Sequence, residues 1–450
     1  VILLVSAALG LAYTRATPVG ENPDEGAHLQ YIRVLATEHR LPQLDLTRRR
    51  EVTRDVNYEA HQAPLYYALA VPFFQAGQAL AGEAGAGQGP RLLSILIGLA
   101  GTALVWLLAR EVAPERPALW GAAAAFAAFL PMRLAVNASV SNDALAEATA
   151  SLALLVMVRM VKGAGSNRQA TWLGAALGLA LLSKSNAILL LPPALLALYL
   201  GARRGPESPA QVWRRLLTTG GVTAGVLLLL AGWWFARNQA LYGDPLGQKA
   251  FNWYFADTPT LEQFRQAGYS FDRYLFKLVY PTAFASFWGA FGHLDPRRPE
   301  LFMGATGPGY PPQSWVYPIL GWVTIAALAG GVVYLIRSRL ERSAREEEEP
   351  PSGLAVMGLH ALFVVAAFLN FNSTYFQAQG RYLFPAMAFL SLALAGGLLE
   401  WPRLLPAAPE GKGPGPRRRG EWAGAAVIAG GMLALALYAL LGVIQPAFGT

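Results

Sequence analysis

The 450-residue chain has no cysteine and five histidines, and only 14% of its residues are charged. Without cysteine there is neither a disulfide framework nor a thiolate metal site. Soluble domains carry nearer about a quarter charged residues, so an ordinary water-soluble globule is excluded as well. No internal repeat and no nucleotide-binding glycine motif is found. The net charge of +8 comes from short basic clusters set between apolar runs. That is how cytoplasmic loops of a membrane protein look, and it gives no reason to expect a nucleic-acid partner.

What the chain does have is apolar length. Hydrophobic residues make up 54% of it. Runs lie near 91–109, 118–136, 143–161, 171–183, 187–201, 216–235, 315–336, 354–370, 381–400 and 422–444. Stretches of this kind predict an all-α polytopic membrane protein. The opening "VILLVSAALGLAY" has no basic n-region and is expected to be a first helix rather than a signal peptide.

The segment "APLYYALAVPFFQAGQAL" (63–80) is ambiguous: it is short, holds two prolines and two glutamines, and runs into "AGEAGAGQGP". If it crossed, everything downstream would change sides. Basic clusters at Arg110/Arg116, Arg159/Lys162/Arg168, Arg203/Arg204/Arg214/Arg215, Arg337/Arg339/Arg342/Arg345 and Arg403/Lys412/Arg417–Arg419 share one side in either case. The positive-inside rule makes that side cytoplasmic. Taking 63–80 as a re-entrant or interfacial helix gives about eleven spans, one integral domain over 1–450, and two large external loops, 16–90 and 236–314. The acidic run "EEEEP" (346–350) then reads as a solvated cytoplasmic linker.

On the opposite side, polar residues gather at span ends. A charge in mid-span costs roughly 2.5–3.5 kcal/mol on insertion scales, so each needs a reason. "ENPDEGAHLQYI" (21–32) places Asp24 beside Glu25. Asn22 as N-cap, Pro23 at the first helical position and Glu25 three residues on form a capping-box pattern. Capping accounts for Glu25 and leaves Asp24 over. "NYEAHQAPLYY" (57–67) brings Glu59, His61 and Gln62; "NASVSNDALAE" (137–147) brings Asn142 and Asp143, where ordinary capping is the competing account. Lys184, Arg237 with Asn238, and Arg381 are lone cations on the side where cations are disfavoured. Either each has a local acidic partner, or together they await an anion such as phosphate. Asp24, Glu25, His28, Glu59 and His61 could be imagined around a metal, with Asp24 and His28 on one helix face. No compact metal signature such as HExxH accompanies them. His39, His293 and His360 look incidental.

Several of these stretches, in this order, resemble the glycosyltransferase-C superfamily, polytopic enzymes that use polyprenyl-phosphate-linked donors. The nearest types are protein O-mannosyltransferases and aminoarabinose lipid A transferases. "NPDEGAH" resembles the acidic motif of the first external loop, and "YEAHQAPLYYALAVPFF" the HPPLYY segment. "RLLSILIGLAGTALVWLLAREV" is similar to the helix after it, and "SNDALAEATASLAL" falls where the second loop carries its acidic residue. "FQAQGRYLFPAMAFL" resembles the terminal motif of a bacterial branch. Two departures stand out: His61-Gln62-Ala63-Pro64 has one proline where the pattern has a pair, and Asn142-Asp143 is not an acidic pair.

The resemblance implies inverting sugar transfer from a polyprenyl phosphate to a glycan, lipid or protein acceptor at the extracytoplasmic face of the cell membrane. It gives Asp24 the role of general base and Glu25 that of helix cap and orienting group. Lys184, Arg237 and Arg381 would hold the phosphate. Glu59, His61, Gln62, His28, Asn142, Asp143, Asn238 and Gln379 would line the substrates, with Tyr66, Tyr67 and Tyr382 offering faces to the sugar. No cofactor is required by this chemistry, and a divalent cation is compatible with it. The rival reading is a transporter or flippase for a lipid-linked or anionic substrate, since buried charge also marks ion pathways.

Overall fold

The computed structural model describes residues 1–46, 58–163, 165–204, 208–254, 256, 258–291, 315–343, 353–405 and 415–449. Every apolar run predicted above is helical, and among the described residues there is no strand, only an isolated bridge between Thr260 and Tyr375. Among the described residues eight helices are long and apolar enough to cross a membrane, nine if a bent pair counts as one. The parts of 236–314 and of 16–90 at 292–314 and 47–57, with His293, and the run 346–350 lie outside the described residues.

Helix α1 (Ile2–Ala16) leads to α2 (Glu25–Glu38) and then to α3 (Leu65–Val112). The ambiguous segment resolves here. α3 reverses at Ala81–Gly82, where Gly82 takes φ +61°, and returns on itself as an antiparallel hairpin. A Cβ on Gly77 would lie 2.1 Å from the Gly85 carbonyl oxygen, and one on Gly89 2.0 Å from that of Phe73. Only glycine allows the two arms so close. Tyr66 accordingly meets Ser94 across the hairpin at 2.7 Å, so the chain re-enters at the level where it left. Residues 63–80 therefore form one arm of the hairpin, and residues from Gly82 onward return along it.

α4 (Pro117–Phe129) and α5 (Pro131–Asn137) are bent by 62° at Leu130–Pro131. α6 (Asp143–Lys162), α7 (Asn167–Ser183), α8 (Leu191–Ala202) and α9 (Pro209–Tyr242) follow. Reciprocal Ser166–Gln169 and Ser208–Gln211 capping boxes start α7 and α9. Short helices α10 (Gln248–Tyr254), α11 (Leu261–Gln266) and α12 (Phe271–Tyr274) precede α13 (Tyr280–Gly289). The bundle is completed by α14 (Val316–Ser343), α15 (Gly353–Thr374), α16 (Met387–Leu398) and α17 (Pro416–Ala439). α6 is the centre, with 83% of its apolar window buried; α9 and α14, at 17%, form the rim. Apolar side chains such as Leu229 and Trp322 project outward from that rim, as lipid-facing helices require.

Successive helices alternate between two ends. One end collects basic loops, tied by Arg116–Glu400 at 2.7 Å, Arg337–Glu400 at 2.7 Å and Arg159–Glu111 at 2.8 Å. The other end is built from the start of α2, residues 58–62, the start of α6, Lys184 and the turn before α16.

Candidate functional site

Asp24 immediately precedes α2 in a left-handed conformation, φ +64°, which is uncommon for a non-glycine residue and strained. The expected capping box is absent: no side chain caps α2, and neither Asn22 nor Glu25 plays that part. Glu25 is wholly buried instead. Arg91 reaches it with Nε and Nη2, both at 2.7 Å, and the amides of Gly20 and Val140 donate to it at 2.9 Å each. The rest of the Arg91 guanidinium donates to the carbonyls of Thr14, Thr17 and Pro18. Glu25 thus has no oxygen left for chemistry. It locks α1, α2, α3 and the α5–α6 turn around Asp24.

With its neighbour anchored, Asp24 is held on two sides. Oδ1 accepts from the Tyr58 hydroxyl at 2.9 Å and Oδ2 from Arg381 Nη2 at 2.6 Å. Arg381 Nη1 also donates to Asp143 Oδ2 at 3.2 Å, and its Nε to Gln379 at 2.7 Å. Lys184 donates to the other Asp143 oxygen. The result is a chain of alternating charge, Asp24–Arg381–Asp143–Lys184, whose residues are up to 357 positions apart in sequence. Asp143 is both the first-turn residue of α6 and a partner of two cations, so capping alone does not account for it.

Exposure differs along that chain. The Asp24 side chain is 34% exposed and Lys184 18%, against 9% for Asp143 and 4% for Arg381. Burial would raise the Asp24 carboxyl, but the Arg381 guanidinium, with His28 and the Tyr58 hydroxyl, holds it below its usual range. Glu59 goes the other way: burial, reinforced by Asp24 and only partly opposed by His28, pushes its carboxyl up. Burial pushes both His28 and His61 below the usual imidazole value, His61 to about 4. His61 Nδ1 donates to the Tyr58 carbonyl at 2.9 Å, leaving Nε2 as an acceptor.

Other expected residues are placed as follows. Asn142 donates to Gln62 and to the Ser183 carbonyl, both at 3.3 Å, and so sits in the cluster. Tyr66 and Tyr67 offer no face, being wholly buried. Tyr66 is spent on Ser94 and the Ser141 amide, while Tyr67 stacks on Tyr31 at 3.7 Å and meets His28 Nδ1 at 2.8 Å. Half-buried Tyr382 lies under Arg381, 5.5 Å from its ring centre. Arg237 is not with the other two cations: it donates to the Pro42 carbonyl at 2.8 Å and stacks on Trp234. Asn238 turns to the Pro245 carbonyl at 3.3 Å. His360 is buried against the Pro385 carbonyl. Among the described residues no three His, Asp or Glu side chains are grouped as ligands for a metal ion.

Sequence reasoning passed over Tyr58, Arg91 and the buried pair Arg133–Glu147, joined at 2.8 Å. The last three carried the same signal as Lys184, a charge set in an apolar run. They lay within helices rather than at their ends.

Residues 67–234 match the family described as dolichyl-phosphate-mannose-protein mannosyltransferase. That stretch contains Arg91, Asn142, Asp143 and Lys184, and leaves Asp24, Glu59 and Arg381 outside. ArnT from Cupriavidus metallidurans bound to undecaprenyl phosphate is similar in structure, with TM-score 0.55, 16% identity, and 99% of this chain and 77% of that one covered. Its apo form gives TM-score 0.53 at 17% identity, with the same coverage. The Archaeoglobus fulgidus oligosaccharyltransferase tethered to an acceptor peptide gives TM-score 0.53 at 14% identity, covering 99% of this chain and 55% of that one. No curated protein sequence matches the chain. The fold expected from the sequence is borne out: this is a multi-pass membrane protein that shares the fold of these glycosyltransferase-C structures, and its residues 67–234 match the mannosyltransferase family.

Proposed function

We propose that the chain transfers a sugar from a polyprenyl-phosphate-linked donor to an acceptor hydroxyl of a glycan, lipid or protein, with inversion. The transfer takes place at the extracytoplasmic face of the cell membrane. One observation carries the reading: of the acids in the cluster, Asp24 is the one open to a substrate, and a guanidinium suited to phosphate holds it. That ArnT from Cupriavidus metallidurans binds undecaprenyl phosphate in the same fold supports the donor class.

Arg381 makes Asp24 a weak base at rest. A donor phosphate arriving beside Arg381 and Lys184 competes for both cations, as a bidentate and a point-charge partner respectively. As Arg381 turns to the phosphate, Asp24 loses its counterion and its carboxylate becomes more basic. It then takes the acceptor proton while the acceptor oxygen attacks the anomeric carbon. The bond from that carbon to the phosphate oxygen breaks, and the phosphate leaves with the electron pair, its charge met by the two cations. Glu59 hydrogen-bonds a sugar hydroxyl, and His61 Nε2 and Gln62 accept from others. Activity in the presence of a chelator reports whether a divalent ion also takes part.

The test is the mass of lipids that co-purify in mild detergent with wild type and Asp24→Asn. A polyprenyl phosphate, or its sugar conjugate enriched in the variant, is the expected result. Transport of a substrate into liposomes by wild type, with no polyprenyl phosphate on either protein, would overturn the reading in favour of a transporter.

A further inference from the structure

The end of the bundle remote from Asp24 holds a second concentration of charge that the proposed transfer does not use. Arg381 precedes α16 and Glu400 follows it, so the two clusters lie about 30 Å apart along one rod, at 1.5 Å per residue. That separation matches roughly the thickness of a bilayer core. At the far end is a cavity of 340 Å³ lined by Arg116, Arg403, Arg417 and Arg418, with Glu115 and Glu421 as its acids and the half-exposed Trp422 beside them. Four guanidinium groups face two carboxylates.

Among the described residues the internal ion pairs do not absorb this excess. Glu421 accepts from Arg116 at 3.3 Å and from Arg403 at 3.0 Å, and the buried Glu400 is shared by Arg116, Arg337 and Arg403. Arg116 is 7% exposed, and its Nε, like that of Arg403, has no hydrogen-bond partner among the described residues. A buried guanidinium N–H without an acceptor costs free energy that a bound anion would recover. Two helix starts meet here as well: first-turn residues of α4, from Pro117, and of α17, from Pro416, line the cavity, and helix starts carry partial positive charge. Beyond Trp422 the outer face of α17 is apolar, with Val427 73% exposed. An acyl chain could lie there while its headgroup sits among the arginines.

We propose that this cavity binds a phosphate-bearing group, and that its position at the membrane boundary, below an apolar helix face, favours the phosphodiester of an anionic lipid over free phosphate. The site is independent of sugar transfer, and neither reading depends on the other.

The experiment uses the full chain in nanodiscs of phosphatidylglycerol or of phosphatidylcholine, with the lipid retained after detergent extraction counted by native mass spectrometry. Orthophosphate binding is measured separately. Wild type is expected to retain phosphatidylglycerol and not phosphatidylcholine. Arg417→Gln/Arg418→Gln should lower that retention about tenfold through loss of two charge-assisted contacts. Glu421→Gln, which removes a competing carboxylate, should raise it about threefold. The two variants predict opposite signs, so a general loss of folding cannot imitate the result. Orthophosphate that binds with the same variant dependence while phosphatidylglycerol does not would assign the site to free phosphate. Equal retention of both lipids with no orthophosphate binding, or variants indistinguishable from wild type, would overturn the proposal.

Discussion

Arg381 joins Asp24 and Asp143 through one guanidinium, at 2.6 and 3.2 Å, although the two carboxylates stand at the starts of different helices. Asp143 is also held by Lys184, whereas Asp24 has solvent on its open side. The bridge therefore has a fixed end and a free end, and the free end carries the proposed base.

Arg381→Gln and Asp24→Asn should each lower transfer by about 100-fold or more, the range for losing a positioned base or a charge-stabilising donor. The double variant should fall little further, because the two act as a unit. Initial rates for the four proteins at saturating donor measure this. Additive losses would separate Arg381 from the action of Asp24.

Glu25 gives the opposite contrast. Removing one partner of a buried, fully bonded ion pair costs about 3–5 kcal/mol, because the other charge is left stranded. Arg91→Leu and Glu25→Leu, made singly, should each sharply lower thermal stability in detergent. The two made together should recover part of the loss. Asp24→Asn, at a partly exposed residue, should keep the wild-type melting temperature within a few degrees. Thermal unfolding followed by size-exclusion recovery distinguishes a structural acid from a chemical one, two residues that are adjacent in sequence.

That adjacency shows what could be read from the sequence. The helices were legible because apolar length has one physical meaning in a membrane protein, and each predicted run is a helix. Asp24, Asp143, Lys184 and Arg381 were legible as anomalies, charges at apolar boundaries on one side. Their pairing was not, since Arg381 meets Asp24 across 357 positions and no local pattern encodes it. The capping box failed because the same Asn-Pro-Asp-Glu string can cap a helix or supply a buried anchor. Only the presence of Arg91 across the bundle decides between them. The tyrosines of "PLYY" read as sugar platforms and proved to be packing, because the hairpin that buries them is closed by glycines 10 to 23 residues downstream.

Stability should depend on acidity through His61. Its folded value lies near 4, below the ordinary 6.5, so between those limits the unfolded chain binds more protons than the folded one. Stability is then present above about pH 6.5 and is lost as pH falls toward 4, by on the order of 3 kcal/mol at most. Melting temperatures from pH 7.5 to 4.5 should fall for wild type and fall less for His61→Gln. Glu59 has the reverse sign for a carboxyl: with its folded value raised, ionising it as pH increases costs stability. Glu59→Gln removes that cost and, if the protonated carboxyl is what donates to the sugar, also removes the alkaline limb of the rate profile.

Lys184 and Arg237 should separate in a binding measurement. Lys184 is 18% exposed beside Asp143, near enough for a phosphate to share it. Lys184→Gln should weaken undecaprenyl phosphate binding by about tenfold, the value of one charge-assisted contact. Arg237 is committed elsewhere, to the Pro42 carbonyl and the Trp234 ring at 4.8 Å. Arg237→Gln should leave that affinity within about twofold and instead cost about 1 kcal/mol of stability, from one hydrogen bond and one cation–π contact. Lipid titration of the three proteins by intrinsic tryptophan fluorescence decides it. Equal losses for the two variants would mean that Arg237 leaves Pro42 when the donor arrives. The segment around Pro42 would then belong to a part of the site that closes on the phosphate.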